Sequence, residues 1–140
     1  MPAMNLPMPA DLLLPQKPPF QLVDTLLSAN TELTVTSFVV PEDHMMVHNG
    51  KLTEGGVLEH MAQSAAAGAG YQLLVQDKPV PVGYIGAIKN MQMLNLPSTG
   101  SILETQIYSR HQLGHASIVA AETRSGSALI ASCEFTIFVS

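Results

Sequence analysis

One proline-free segment constrains the fold more than any other part of the chain. Residues 56–75 include five alanines, three leucines, three glycines and one methionine. This composition and length predict one long α-helix, for which Thr53 is either the N-cap or the residue just before it. Within residues 56–70 the only polar side chains are Glu59, His60, Gln63 and Ser64. Because a helix that is apolar on nearly all sides must be enclosed by other elements, we expect the fold to be built around this one.

The segments on either side of this helix have the composition of β-strands. Residues 20–27 and 31–40 are rich in β-branched and apolar residues and predict a strand pair. After the helix, four strand-like segments are separated by turns that contain Gly100, Gly114 and Gly126, which predicts an antiparallel meander: 82–93, 102–111, 117–123 and 128–139. The sequence therefore predicts an α+β fold, with an antiparallel sheet of about five to six strands wrapped around one central helix.

The N-terminal residues are expected to be less regular. Six prolines occur within the first 19 residues, so we expect regular structure to begin near Phe20. Residues 1–10 contain three prolines and no positive charge, which is unlike a secretory signal or a spanning helix. We expect residues 1–12 to form a flexible lead-in and residues 13–140 to form a single domain.

Charge and cysteine content exclude several functional classes. Six Lys and Arg against eleven Asp and Glu, with few aromatic residues, do not suit a nucleic-acid-binding protein. Cys133 is the only cysteine, so an intramolecular disulfide is impossible and a cytoplasmic location is expected. Only 12% of the residues are charged, about half the usual fraction. We therefore expect part of the apolar surface to be buried against a second copy or another protein.

Glu59 is the residue best suited to chemistry. Its neighbours three and four positions away along the helix are Gly55, Gly56, Ala62 and Gln63, so no cation lies within helical reach. A carboxylate that loses hydration without compensation favours its protonated form, which predicts a general acid. The alternative is that Glu59 lies on a solvated strip of the helix or is satisfied by a hydrogen bond across the sheet.

The histidines offer two candidates for a base. His44 and His48 lie in a predicted loop over residues 41–55, and histidine titrates near neutral pH. Spacing alone does not choose between them, and either could be an ordinary surface residue. His60 points about 100° away from Glu59 on the helix, which makes it a poor partner within one chain.

The helix start offers a second chemical group. At Gly55 and Gly56 the free backbone N–H groups could stabilise a carbonyl oxygen that gains negative charge, although a Gly-Gly pair could also serve only as a tight turn. The sequence lacks HExxH, P-loop, GxGxxG and GxSxG motifs. We therefore expect no metal and no nucleotide cofactor.

Several motifs resemble one enzyme family. The sequence LLPQKPPFQLVD at residues 13–24 resembles the opening of the hot-dog-fold 3-hydroxyacyl-acyl-carrier-protein dehydratases. LEHMAQ at residues 58–63 resembles the central-helix motif of that family, and residues 83–89 and 96–100 resemble its next strand and turn. The resemblance extends over residues 13–139. It implies a hot-dog fold and a homodimer, or a larger assembly of dimers, in which each site takes a histidine from one chain and a glutamate from the other.

The resemblance also implies roles for individual residues. Glu59 matches the family's acid, and His44 matches its base because the family histidine lies about fourteen residues before the glutamate. The segment from Asp43-His44 to Gly50 resembles a divergent dehydratase-like branch from aryl-polyene and related pigment pathways. The chain departs from the main family after His44, where residues 45–47 replace Phe-Pro-Gly.

The implied activity is elimination of water from a 3-hydroxyacyl thioester of acyl carrier protein or coenzyme A, giving a trans-2-enoyl thioester. It needs no cofactor and would belong to lipid metabolism, in fatty acid or polyene-type pigment biosynthesis. Gly55, Gly56 and Gln63 are the expected substrate-binding residues. One alternative is a hot-dog thioesterase, because GGVLEHMAQSAA also resembles that family's helix start, although Gln63 stands where its catalytic Asp is placed. The other is a non-catalytic subunit that binds acyl thioesters.

Overall fold

The central helix has the expected position. A computed structural model describes residues 5–79 and 83–139, and it places helix α1 over Glu54–Leu74. Thr53 is the N-cap, and its side chain accepts a hydrogen bond from the Gly56 N–H at 3.2 Å. The helix therefore begins two residues before the predicted start, because the cap supplies an acceptor for the first turn. In the described ranges, no helix combines the length and hydropathy needed to cross a membrane.

A seven-stranded antiparallel sheet packs against α1. Its strands are β1 (Met8–Pro9), β2 (Thr25–Ala29), β3 (Leu33–Val39), β6 (Gly83–Met93), β7 (Ile102–Leu113), β8 (Ala116–Ser125) and β9 (Ala128–Val139). Their spatial order is β1-β2-β3-β7-β8-β9-β6. Six of the strands have five or more residues, which agrees with the expected five to six. One long helix packed against a large antiparallel sheet confirms the predicted α+β, hot-dog fold.

The order of the last four strands corrects the prediction. β7, β8 and β9 form a meander whose turns contain Gly114 and Gly126, both with positive φ. β6 pairs with β9 and lies at the edge of the sheet, although it precedes β7 in sequence. The eight residues between them, 94–101, are too many for a tight hairpin. Residues 94–101 instead form hydrogen bonds with segments before α1. The Leu52 N–H donates to Pro97 O and the Val40 N–H donates to Ser101 O, both at 2.9 Å.

Two segments before α1 also differ from expectation. The first long strand, β2, begins at Thr25 and not at Phe20, because backbone groups of residues 20–22 bond to side chains of α1. The predicted loop over residues 41–55 contains a short hairpin of two strands. These are β4 (Val47–His48) and β5 (Lys51–Leu52).

The N-terminal residues pack earlier than the expected boundary at residue 13. Met8 pairs with Leu26 through β1 and β2, and Ala10–Leu12 form a 3₁₀ helix. Met8 and Ala10 join a buried cluster with Leu26 and Ala67. The expected lead-in over residues 1–12 is therefore packed from Met8 onward, because its apolar side chains cover the helix. Residues 1–4 lie outside the described ranges.

The helix and the sheet approach each other closely at one glycine. A Cβ added to Gly68 would lie 2.1 Å from Thr34 Oγ1 and 2.7 Å from Thr34 Cγ2 on β3. A side chain at residue 68 is therefore incompatible with this spacing. Larger side chains fill the space on either side, among them Val57, Met61, Phe38 and Phe135.

Candidate active site

Glu59 lies at a cavity of about 280 Å³ beside α1. Its side chain is half-buried, and Oε1 accepts a hydrogen bond from Gln63 Nε2 at 3.0 Å. The cavity walls are mostly small or apolar and include Ala62, Ala66, Ala69, Leu73, Ile85 and Ile137. Glu59 therefore presents a carboxyl group to a largely apolar space, and its hydrogen-bond donor comes from its own helix.

Gln63 connects Glu59 to the segment before β2. Its side chain is 2% exposed, and Oε1 accepts from the Leu22 N–H at 2.7 Å. Nε2 donates to Phe20 O at 2.8 Å as well as to Glu59. Both the oxygen and the nitrogen of the Gln63 amide are therefore hydrogen-bonded to protein groups. In this arrangement Gln63 holds the Glu59 carboxyl group in place.

His44 is held by its own chain. Its Nδ1 accepts from the Met46 N–H at 3.0 Å, which requires that the neutral ring carries its proton on Nε2. Nε2–H donates to Pro19 O. His44 is not among the residues that line the Glu59 cavity, so one chain alone does not bring both candidate catalytic residues into that space.

The helix start distinguishes the two candidate amides. The Gly56 N–H is used by Thr53 Oγ1, and a Cβ at Gly56 would lie 2.5 Å from Leu52 Cδ1. The Gly55 N–H has no acceptor within the described residues, and a Cβ there would meet nothing within 4 Å. Gly55 is therefore the available donor, whereas Gly56 serves the cap and the packing.

The start of α1 and His44 belong to one hydrogen-bonded unit. The Thr53 N–H donates to Met46 O at 2.9 Å, and the Met46 N–H donates to His44. On the other side, Pro19 O accepts from His44 and the adjacent Phe20 O accepts from Gln63. The sequence predicted a strand from Phe20 and did not predict that the carbonyl groups of Pro19 and Phe20 bond to His44 and Gln63. Both residues lie within the motif LLPQKPPFQLVD.

His60 has a structural environment. It is fully buried, donates from Nδ1 to Leu22 O and accepts at Nε2 from Thr105 Oγ1, both at 2.7 Å. Thr105 Oγ1 accepts in turn from Thr123 Oγ1, and the ring stacks on Phe38. Burial lowers the pKa of His60 to about 4, although the Leu22 carbonyl opposes this shift. The ring is therefore neutral near pH 7 and fixes the helix to the sheet.

The other histidines and the cysteine do not line the Glu59 cavity. His48 is exposed on β4, His111 is exposed on β7, and His115 is exposed beside the Gly114 turn. Burial, followed by the charge of Glu134, raises the pKa of the Cys133 thiol to about 12, so it is not a nucleophile near neutral pH. Among residues 5–79 and 83–139, no group of three or more His, Cys, Asp or Glu could hold a metal ion.

Several solved structures have a similar fold. A dehydratase heterocomplex, ApeI:P from Xenorhabdus doucetiae, matches with a TM-score of 0.86 and 16% identity, over 95% of this chain and 91% of that one. Smu.793 of Streptococcus mutans, bound to acetyl CoA, matches with a TM-score of 0.66 and 16% identity, over 91% and 95%. A hypothetical thioesterase of Streptococcus pneumoniae, solved with coenzyme A, matches with a TM-score of 0.64 and 13% identity, over 82% and 84%.

Comparison of the sequence itself identifies the family. A search of curated proteins gave no significant match. The family model described as ApeP dehydratase matches residues 8–140, which is nearly the whole chain, including the segment with Glu59 and Gln63. The resemblance to hot-dog dehydratases in the motifs at residues 13–24 and 58–63 is thereby confirmed. The chain belongs to the ApeP-like dehydratase family.

Proposed function

We propose that this chain removes water from a 3-hydroxyacyl thioester and forms a trans-2-enoyl thioester. The observation that carries the proposal is the Glu59 carboxyl, which faces an apolar cavity and is held by Gln63. The cavity suits an acyl chain, and the carboxyl group suits the hydroxyl that must leave. Membership of a dehydratase family supports the same reaction.

Each residue has one role in the reaction. His44 takes a proton from C2, and the electron pair of that C–H bond forms the C2=C3 double bond as the C3–O bond breaks. Protonated Glu59 gives its proton to the leaving hydroxyl, which departs as water. The Gly55 N–H stabilises the negative charge that develops on the thioester oxygen. Each proton transfer contributes about 10²- to 10⁴-fold to the rate.

His44 must change its contacts to act as this base. In the structure Nε2 carries the proton and Nδ1 is occupied by the Met46 N–H. Proton transfer requires one ring nitrogen with a free lone pair. The ring must therefore give up its hydrogen bond with Met46, or exchange its tautomer and give up its hydrogen bonds with both Met46 and Pro19. Since the Glu59 cavity is not lined by His44 of the same chain, we propose that His44 of a second copy completes the site.

The second copy fits the exposed sheet edge. β6 is an edge strand with exposed Tyr84, Ile85 and Ile88, an arrangement that invites pairing with another chain. We propose a homodimer through this edge. The related Xenorhabdus structure is a heterocomplex, so mass measurement of the purified chain, alone and with a coexpressed relative, distinguishes the two assemblies.

The proposals for the substrate carrier, the pathway and the location rest on fewer observations. The substrate carrier is acyl carrier protein or coenzyme A, and the pathway is fatty acid or polyene-type pigment biosynthesis. Two of the fold neighbours were solved with acetyl CoA or coenzyme A, which favours a thioester ligand. A cytoplasmic location rests on the single cysteine, Cys133.

Two other functions have specific support. A thioesterase is favoured by the fold of the Streptococcus pneumoniae protein, but Gln63 offers only an amide that is already hydrogen-bonded. A non-catalytic thioester-binding subunit is favoured by His44, because both of its ring nitrogens are engaged. These functions differ from the proposed one in their products.

Incubation with 3-hydroxyacyl thioesters tests the proposal. The wild type should form enoyl thioester, and His44→Ala and Glu59→Gln should each lower the rate at least about 100-fold. Release of free thiol without enoyl product would favour the thioesterase. Binding without turnover would favour the non-catalytic subunit, and equal rates in all three proteins would contradict the assigned residues.

A further inference from the structure

A line of hydrogen bonds joins the candidate acid to the fully buried His60. Glu59 Oε1 accepts from Gln63 Nε2 at 3.0 Å, and Gln63 Oε1 accepts from the Leu22 N–H at 2.7 Å. The carbonyl group of Leu22 in turn accepts from His60 Nδ1 at 2.7 Å. Both backbone polar groups of Leu22 are therefore bonded to side chains of α1. The proposed mechanism assigns no role to His60.

Every donor in this line points toward Glu59. The Leu22 carbonyl can only accept, so Nδ1 carries the proton of the neutral His60 ring, and Nε2 accepts from the Thr105 hydroxyl at 2.7 Å. That hydroxyl has no second proton, so Thr123 is the donor in the bond of 2.6 Å between the two threonines. Because hydrogen bonds arranged head to tail polarise one another, the line strengthens the last donation, to the Glu59 carboxyl group.

The His60 ring is fixed in this orientation by the sheet. Thr105 and Thr123 are fully buried and face each other on β7 and β8. The ring also stacks on Phe38 of β3, with ring centres 5.5 Å apart. His60 and the Gln63 side chain both bond to Leu22, so the position of the Leu22 N–H that binds Gln63 depends on the position of His60.

We propose that His60 is a positioning residue for Glu59, acting through the backbone of Leu22 and the side chain of Gln63. The donation from Gln63 occupies Glu59 Oε1, so the acid proton is placed on Oε2. Without the donor on His60, Leu22 and Gln63 can shift, and the carboxyl group loses the orientation that proton transfer to the C3 hydroxyl requires. This inference rests on the proposed dehydratase function, because Glu59 is the acid of that reaction.

Two substitutions of matched shape test this role. Asparagine and leucine both branch at Cγ, but only asparagine carries an N–H donor there, where the ring of histidine has Nδ1. His60→Leu should lower kcat about tenfold and leave KM within about twofold of the wild-type value. His60→Asn should keep kcat within about threefold of the wild type. An equal loss of kcat in the two variants, or a folded His60→Leu protein with the kcat of the wild type, would overturn the proposal.

Ser64→Ala is the matched control. Ser64 is a buried polar residue on the same helix, and its hydroxyl bonds to Thr36 Oγ1 and to the His60 carbonyl, outside the line that reaches Glu59. Its substitution should lower the free energy of unfolding but leave kcat and KM unchanged. A fall in kcat as large as that of His60→Leu would overturn the assignment, because any loss of buried polar contacts would then have the same effect.

The tautomer of the ring tests the proposal in the unaltered protein, even if the variants do not fold. Heteronuclear NMR of labelled histidine rings should show one ring that stays neutral at about pH 6, since burial lowers the pKa of His60 to about 4. Its proton should lie on Nδ1, and a proton on Nε2 would overturn the proposal because the Leu22 carbonyl would have no donor. If the wild type forms enoyl thioester, these outcomes concern His60 alone, whereas a wild type that forms none overturns the proposed function.

Discussion

Gln63 and Glu59 lie one turn apart on α1 and are joined by a hydrogen bond of 3.0 Å from Nε2 to Oε1. The same Gln63 amide binds the backbone of Phe20 and Leu22. The orientation of the candidate acid is therefore coupled to a segment that lies 37 or more residues before Glu59 in the sequence. If Glu59 is the acid, as proposed, a change at Gln63 should affect both catalysis and folding.

Gln63→Met should lower both the activity and the stability. The substitution keeps the side-chain length but leaves the Leu22 N–H and the Phe20 carbonyl without their partner, which costs roughly 1–3 kcal/mol of unfolding free energy. The loss of orientation at Glu59 should reduce kcat about 10- to 100-fold. Urea unfolding and steady-state kinetics measure the two effects.

Gln72→Met is the matched control on the same helix, because Gln72 does not line the Glu59 cavity. It should leave kcat unchanged. A folded Gln63→Met protein with the kcat of the wild type would contradict the positioning role.

Gly55→Pro should remove activity while the helix still forms. Proline is tolerated in the first helical turn, and at residue 55 it deletes one N–H that has no acceptor within the described part of the chain. If that N–H stabilises the thioester oxygen, kcat should fall about 10²- to 10³-fold. Circular dichroism checks the fold.

Gly55→Ala provides the comparison, since it keeps the N–H and its Cβ meets nothing within 4 Å. It should retain most of the activity. Equal kcat for the proline and alanine variants would show that this amide has no role in the reaction.

The start of α1 could be predicted from the sequence, whereas the position of β6 and several contacts of the candidate site could not. The start of α1 follows from local chemistry, because Thr53 and the apolar run after it define the cap and the helix without any distant contact. The edge position of β6 does not follow, because strand order depends on where residues 94–101 bond. The hydrogen bonds of residues 19–22 to His44, His60 and Gln63 were likewise hidden, since they join groups more than 20 residues apart.

The buried His60 should make the free energy of unfolding fall as the pH is lowered from about 6.5 to 4. Its pKa is about 4 in the folded state against 6.5 in an unfolded chain, so between these values the unfolded state binds more protons. The contribution of His60 to stability is therefore complete above about pH 6.5 and declines as the pH falls toward 4, by about 3 kcal/mol in total.

Urea unfolding at several pH values measures this effect, with His60→Gln as the comparison. The variant should be less stable at pH 7.5 but lose less stability than the wild type between pH 6.5 and 4. Parallel stability curves for the two proteins would exclude His60 as the source.

Gly68→Ala should destabilise the contact between α1 and β3. The new Cβ would overlap Thr34 Oγ1, and overpacking of this kind costs about 1–3 kcal/mol. Replacing Thr34 with alanine removes the two nearest atoms but leaves its Cβ at 2.9 Å, so Gly68→Ala should be less harmful, though still destabilising, in a Thr34→Ala background. Additive losses of unfolding free energy in the double variant would argue against this close approach.

Recovery of activity by mixing two inactive variants tests the central claim most directly. In the proposed dimer, a His44→Ala chain still supplies Glu59 and a Glu59→Gln chain still supplies His44. When equal amounts are unfolded together and refolded, half of the dimers should be mixed, and each mixed dimer should contain one intact site of two. The account predicts formation of enoyl thioester at about a quarter of the wild-type rate. A mixture that stays at the rate of the separate variants would contradict a site shared between His44 and Glu59.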